Sequence, residues 1–311
     1  MGWLVLVVVA CAALLVALVG YLFLYEPRYA GLIADPHRSL VFAHRGFGNH
    51  APDNSLRGAQ MALAAGMDGI DIDGQMTADH ELIVFHDLVV EHRTNGQGRV
   101  GDKTLAEMRA LDLGPRFGPG FEGDQVASVE DFLRIYDGSR GIVMIELKVP
   151  GLASTGIEQK FIALIEKYRA HDWVYLSSFN PVVLYRLKKL APRVRTVFIF
   201  MDTSWTKAML EGQVPKAQGG RELPIYLRRE PFRRAIRKLI KPDLLSVNHA
   251  VKARTIDRLL ARGIPVFLWA LDTAEQIEWG LARRPYGLIS DEMIQAKQLR
   301  DARIAAAKPT T

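Results

Sequence analysis

Four short stretches of this chain carry side chains that could do chemistry together. They are Ala43-His44-Arg45-Gly46, Asp71-Ile72-Asp73, Val84-Phe85-His86-Asp87 and Ile145-Glu146-Leu147-Lys148, each following or closing an apolar run. Two histidines can divide proton transfer on the two sides of one bond. Arg45 and Lys148 can grip an anionic phosphate, the arginine with two parallel bonds. Carboxylates that converge from different strands repel one another unless a cation joins them. The cation can be a metal ion, or the carboxylates can form a salt-bridge network with Arg45 and Lys148. Oxygen ligands without thiolates point to Mg²⁺ or Ca²⁺. Cys11 is the single cysteine and lies inside an apolar run, so there is neither a disulfide framework nor a thiolate metal site.

The elements that must position these residues follow from periodicity. Strand-length apolar runs fall at 40–43, 69–72, 142–147, 173–176, 194–200, 244–247, 266–269 and 287–289. Helix-period segments separate most of them, at 54–65, 157–169, 181–190, 255–262 and 273–282. An additional strand is expected at 81–85. This alternation predicts an α/β fold, a (β/α)8 TIM barrel, and 311 residues suffice for one with a large core. Chemistry in such a barrel sits where strands end, and the charged groups lie at those ends. Asp53 reads as the cap of the 54–65 helix. His37, His50, His80, His171 and His249 read as ordinary exposed or capping residues.

From Trp3 to Tyr25 there is neither charge nor proline. At ~1.5 Å per residue this run exceeds the ~30 Å hydrocarbon core of a bilayer. It lacks the basic n-region and the small-x-small cleavage site of a signal peptide, so it reads as an uncleaved anchor. The expected organisation is an anchor at 1–26, a linker at 27–39, a barrel at 40–300 and a tail at 301–311. No Lys or Arg precedes the apolar run, whereas Arg28 and Arg38 follow it, which favours a cytoplasmic barrel. The α-amino charge of Met1 pulls the other way. Net charge is +6, and the segment 221–241 alone holds eight Lys/Arg against two Glu. Within it Phe232, Ile236, Leu239 and Ile240 fall on one helical face. Two readings follow: a contact with anionic lipid, or a barrel helix that buries this face and solvates its arginines. No nucleic-acid reader motif accompanies the basic run.

Taken in order, His44-Arg45-Gly46, His86-Asp87 and Glu146-x-Lys148 resemble the glycerophosphodiester phosphodiesterase family, over about Leu40 to Asp291. Ser178-Phe179, Trp269 and Gly287-Leu288-Ile289-Ser290-Asp291 add weaker similarity. The resemblance implies a metal-dependent hydrolase that converts glycerophosphodiesters to sn-glycerol 3-phosphate and an alcohol. A lysophospholipase D acting on lysophospholipids is the near alternative, and a lipid- or phosphate-binding barrel with lapsed catalysis is one of another class. By position, His44 and His86 would be catalytic, Arg45 and Lys148 phosphate-binding, and Asp71, Asp73 and Glu146 the metal ligands. Phe179 and Trp269 would wall the substrate pocket. Two departures stand out: Asp71 replaces the family's Glu in Glu-x-Asp, and Asp53 its Glu in Pro-Glu-Asn-Thr. Gly74, where the family commonly has Val, is expected to give Asp71 freedom to reach.

Overall fold

The computed structural model describes residues 2–25, 38–149, 151–201 and 229–307. The expected linker lies almost wholly outside them, as do Arg221 and Arg228 of the basic segment. Eight parallel strands close a barrel: β1 (Leu40–His44), β2 (Gly69–Met76), β4 (Ile142–Leu147), β5 (Val174–Ser178), β6 (Arg195–Phe200), β7 (Leu244–Asn248), β8 (Val266–Trp269) and β9 (Gly287–Ser290). β1 pairs with both β9 and β2, which completes the ring. The ninth strand, β3 (Leu82–Val84), runs antiparallel along β2. The TIM barrel expected from the alternation is therefore the observed fold.

Side chains alternate across each strand, and the two faces build two cores. Outward residues pack against the surrounding helices, with Ile70, Ile72, Val143, Ile145 and Leu268 among the fully buried. Inward residues Phe42, Met144, Tyr175, Val197, Leu244, Phe267 and Ile289 plug the barrel. The Phe42 and Phe267 rings lie 4.7 Å apart, and a Cβ on Gly287 would come within 2.2 Å of Phe267. Toward the C-terminal ends of the strands the barrel opens into a cavity.

Between β2 and β4, residues 82–127 fold onto a small core of their own, with Ile83, Phe85, Val90, Val100, Met108, Leu113 and Val126 buried. This insertion presents His86 at the barrel rim. Phe85 N donates to Asp73 O at 2.8 Å, and Gln75 Nε2 donates to Phe85 O and Asp87 O, both at 2.8 Å.

Four sequence expectations are corrected. Ser55, not Asp53, caps the Leu56–Ala64 helix by accepting from Gly58 N. Gly74 serves packing rather than reach, because a Cβ there would lie 2.6 Å from Phe161 Cζ. The final helix, Met293–Ala307, runs past the boundary expected at residue 300. In the Glu230–Ile240 helix the expected apolar face is split: Ile240 is buried and Ile236 packs against the core, but the other two apolar residues are not buried. Arg233, Arg234 and Arg237 are buried, whereas Phe232 and Leu239 are exposed. The Arg233 and Arg237 guanidiniums lie over the Phe200 ring, and Arg237 pairs with Glu230 at 2.6 Å.

Arg234 and Lys238 reach the other way, to the end of the Gly2–Phe23 helix. Arg234 donates to Phe23 O and Leu24 O, and Lys238 to Tyr21 O and Leu22 O. Lys238 also sits 4.7 Å from the Tyr21 ring centre. Cations here satisfy the last carbonyls of the helix and oppose its dipole. The Gly2–Phe23 helix buries none of its residues against the barrel and is long and apolar enough to cross a membrane.

Candidate active site

Strand register brings the predicted residues together. His44 stands beside Asp71, and Asp73 beside Glu146, as Cα partners on neighbouring strands. A cavity of about 420 Å³ at the strand ends is lined by His44, Arg45, Asp71, Asp73, His86, Glu146, Lys148, Phe179 and Trp269. All nine sequence-predicted site residues thus meet in one place.

The two histidines are held alike, but their pKa values are shifted in opposite directions. His44 Nδ1 lies 2.8 Å from Asp291 Oδ1, and His86 Nδ1 lies 2.6 Å from Asp87 Oδ1. In each, the carboxylate favours the tautomer with hydrogen on Nδ1, leaving Nε2 for other work. Burial works against a charged His44, but the hydrogen bond and charge of Asp291 outweigh it and raise its pKa. For His86, burial together with Lys148 and Arg45 outweighs Asp73 and Asp87, so its pKa is lowered. Arg45 NH2 stands 2.9 Å from His86 Nε2. A guanidinium has only donors, so that nitrogen accepts and His86 is neutral.

Arg45 adopts a left-handed backbone (φ 49°), uncommon for a side chain of its size. Asn54 is left-handed too, and its N–H donates to Arg45 O at 2.7 Å. Arg45 NH1 donates to Asp53 at 2.7 Å, and Arg93 meets the same carboxylate at 2.8 Å. Asp53 therefore positions the Arg45 guanidinium rather than a helix end. Arg45 Nε is buried without a hydrogen-bond partner, a donor available to an anionic ligand.

Lys148 Nζ lies 3.0 Å from both Asp73 and Glu146. Although burial alone would raise the pKa of Asp73, Lys148 and Arg45 hold it far below the usual range, and Asn54 adds a hydrogen bond at 2.9 Å. Asp71 differs. Burial, then repulsion from Asp73 and Glu146, pushes its carboxyl up to about 7. A divalent cation beside these three would let Asp71 ionise, so the donor set suits a hard ion in charge and atom type. Among the described residues no three His, Cys, Asp or Glu side chains converge as a ready-made ligand cluster, and Lys148 supplies the positive charge between Asp73 and Glu146.

Sequence reasoning missed several residues. Asn54 clamps Asp73 from two sides, through Nδ2 and by accepting from Asp73 N at 3.0 Å. His249, read as ordinary, lines the cavity with Asn248 and Asp272. The Asn54 signal was within the Pro52-Asp53-Asn54-Ser55 segment; no local signal marks the other three.

A parallel barrel whose mouth combines paired histidines, an arginine–lysine grip and clustered carboxylates is the construction of a phosphodiester hydrolase. The chain belongs to the glycerophosphoryl diester phosphodiesterase family, whose model matches residues 44–295. A glycerophosphodiester phosphodiesterase of Caldanaerobacter subterraneus subsp. tengcongensis is 29% identical over 258 residues, spanning 82% of this chain and 95% of the relative. One of Bacillus subtilis is 33% identical over 198 residues, 58% and 67% of the two chains. The same fold recurs in an Oleispira antarctica phosphodiesterase solved with the product sn-glycerol-3-phosphate (TM-score 0.66, 19% identity, 84% of this chain and 96% of that one). It recurs again in a Thermotoga maritima glycerophosphodiester phosphodiesterase (TM-score 0.62, 19% identity, 85% and 99%).

Proposed function

We propose that this chain is a divalent-metal-dependent glycerophosphodiester phosphodiesterase, anchored in a membrane by residues 1–26, that releases sn-glycerol 3-phosphate and an alcohol. The observation that carries the reading is the pair of carboxylate-held histidines flanking Arg45 and Lys148 in one cavity. Arg45 and Lys148 bind the non-bridging phosphate oxygens. As the phosphate draws the Arg45 guanidinium toward it, the Nε2 lone pair of His86 is released to take the proton of the attacking oxygen. That oxygen is either water itself or the neighbouring glycerol hydroxyl, in which case water then opens the cyclic phosphate that forms. His44, kept protonated by Asp291, gives its Nε2 proton to the departing alcohol oxygen. Opposed pKa shifts on two such groups are the basis for this division of acid and base. Asp71, Asp73 and Glu146 would hold Mg²⁺ or Ca²⁺, which supplies neutralisation of the phosphate charge. Phe179 and Trp269, edge to face with ring centres 5.9 Å apart, wall the substrate pocket.

A second reading, lysophospholipase D activity, is favoured by the seating of the apolar helix against Arg234 and Lys238, which would keep the barrel beside lipid.

The metal assignment is tested by titrating Mg²⁺ or Ca²⁺ calorimetrically into the metal-stripped full chain near pH 7, then assaying glycerophosphocholine turnover. Saturable binding should release protons, because Asp71 must ionise to ligate, and chelator should abolish turnover reversibly. Asp73→Asn or Glu146→Gln should lose the binding. Full turnover in excess chelator contradicts the metal; metal binding without turnover leaves a phosphate-binding barrel.

A further inference from the structure

One wall of the cavity carries polar groups that the chemistry described above does not use. It is built by the ends of β7 and β8, where Asn248 and Trp269 are direct partners across the strands. Asn248 is 1% exposed, and its Oδ1 accepts from Ala250 N at 2.9 Å, which fixes the orientation of the amide. Its Nδ2 is then a buried donor with no partner. Trp269 Nε1 is in the same condition.

His249 adds a third. Gln276 Oε1 accepts from Asp272 N at 2.9 Å and Thr273 N at 3.2 Å, so its Nε2 faces His249 Nε2, at 3.4 Å, as the donor. His249 therefore carries its hydrogen on Nδ1, which is buried and unpartnered. Beside these donors stands Asp272, whose Oδ1 accepts from Asp291 N at 2.9 Å. All four residues line the cavity.

Buried polar groups are normally paired, and a cluster of three that are not calls for a ligand to pair them. The side of the cavity identifies which part of the ligand. Asp272 bonds the residue that holds His44, so this wall adjoins the histidine that, on the function proposed above, protonates the departing alcohol. Its chemistry identifies the kind of alcohol. A quaternary ammonium or an ammonium has no lone pair to offer the three N–H donors and leaves them unpaired, even though Asp272 attracts its charge. Hydroxyl oxygens accept from all three donors and can return a hydrogen bond to Asp272.

We propose that Asn248, His249, Trp269 and Asp272 form a subsite for the hydroxyls of a polyol leaving alcohol. The preferred substrates are then glycerophosphodiesters of polyhydric alcohols, such as a second glycerol or an inositol, rather than of choline or ethanolamine. The inference rests on the proposed enzyme activity, and its test separates the two.

The full chain, supplied with Mg²⁺ or Ca²⁺, is assayed on glycerophosphoglycerol, glycerophosphoinositol and glycerophosphocholine. The polyol diesters should exceed the choline diester in kcat/KM by about 10- to 100-fold, the cost of stranding buried donors. Asn248→Leu and His249→Phe should collapse that ratio, chiefly through KM for the polyol diesters. Trp269→Phe, which keeps the ring and removes only the N–H, should act in the same direction if one of the others fails to fold. Equal or choline-favouring rates in the wild type, or variants that slow all substrates alike, overturn the subsite. If no diester is turned over, the enzyme reading falls, and calorimetry still reads the subsite. Glycerophosphoglycerol should bind more tightly than glycerophosphocholine, a difference lost in Asn248→Leu, and equal binding would overturn it.

Discussion

At the scale of single residues, the account turns on two histidines with opposite electrostatics. His86, its pKa lowered from about 6.5, must be neutral to act as a base; His44, raised above about 6.5, must be protonated to act as an acid. Activity should therefore fall below pH 6.5 as His86 gains a proton and at higher pH as His44 loses one. His44→Ala and His86→Ala should each lower kcat by about 10²–10⁴-fold. Asp291→Asn should shift the alkaline limb toward lower pH, because it removes the charge that keeps His44 protonated. A pH–rate profile of kcat checks all three, and an unmoved alkaline limb in Asp291→Asn would assign that limb to another group. The residues with reactive side chains were legible in the sequence because their types announce their chemistry. Their partners were legible only where a motif carried them, as with Asp87 and Asp291. Asp53 reads as a cap and proves to be an arginine clamp, and His249 reads as ordinary because only folding brings β7 beside β8.

Among the elements, the strands were legible and the basic helix was not. Apolar runs of strand length have few alternatives in a chain that alternates them with helical segments, and the observed strands agree within a few residues, although β2 runs on to Met76. For Glu230–Ile240, periodicity identified the helix and the inward Ile236 and Ile240, but not the burial of its arginines. Long arginine stems can bury their methylenes and stack on a ring, here Phe200, while the apolar Phe232 turns to the Phe23 ring, 5.5 Å away and edge on. Burial of Arg237 against Glu230 makes a specific prediction. Arg237→Ala should destabilise the barrel by about 3 kcal/mol, because it leaves a partly buried carboxylate without its cation. Denaturant unfolding of the detergent-solubilised chain measures this, and a change under about 0.5 kcal/mol, the range of ordinary surface substitutions, would show that the pair is dispensable.

For the whole molecule, the function proposed above has the apolar helix holding the barrel at a lipid surface. The charge distribution around the helix favours a cytoplasmic barrel. Reporters active on only one side of the membrane, fused after Thr311, should signal from the cytoplasm; an external signal reverses the orientation and leaves the anchor intact. The central claim concerns the bond that is cut. Products of glycerophosphocholine should be resolved for the metal-loaded wild type and for the His44→Ala/His86→Ala double variant. The account predicts sn-glycerol 3-phosphate and choline from the wild type, with the rate in the double variant reduced by at least about 10²-fold. Phosphocholine and glycerol as products, or undiminished sn-glycerol 3-phosphate from the double variant, would contradict it.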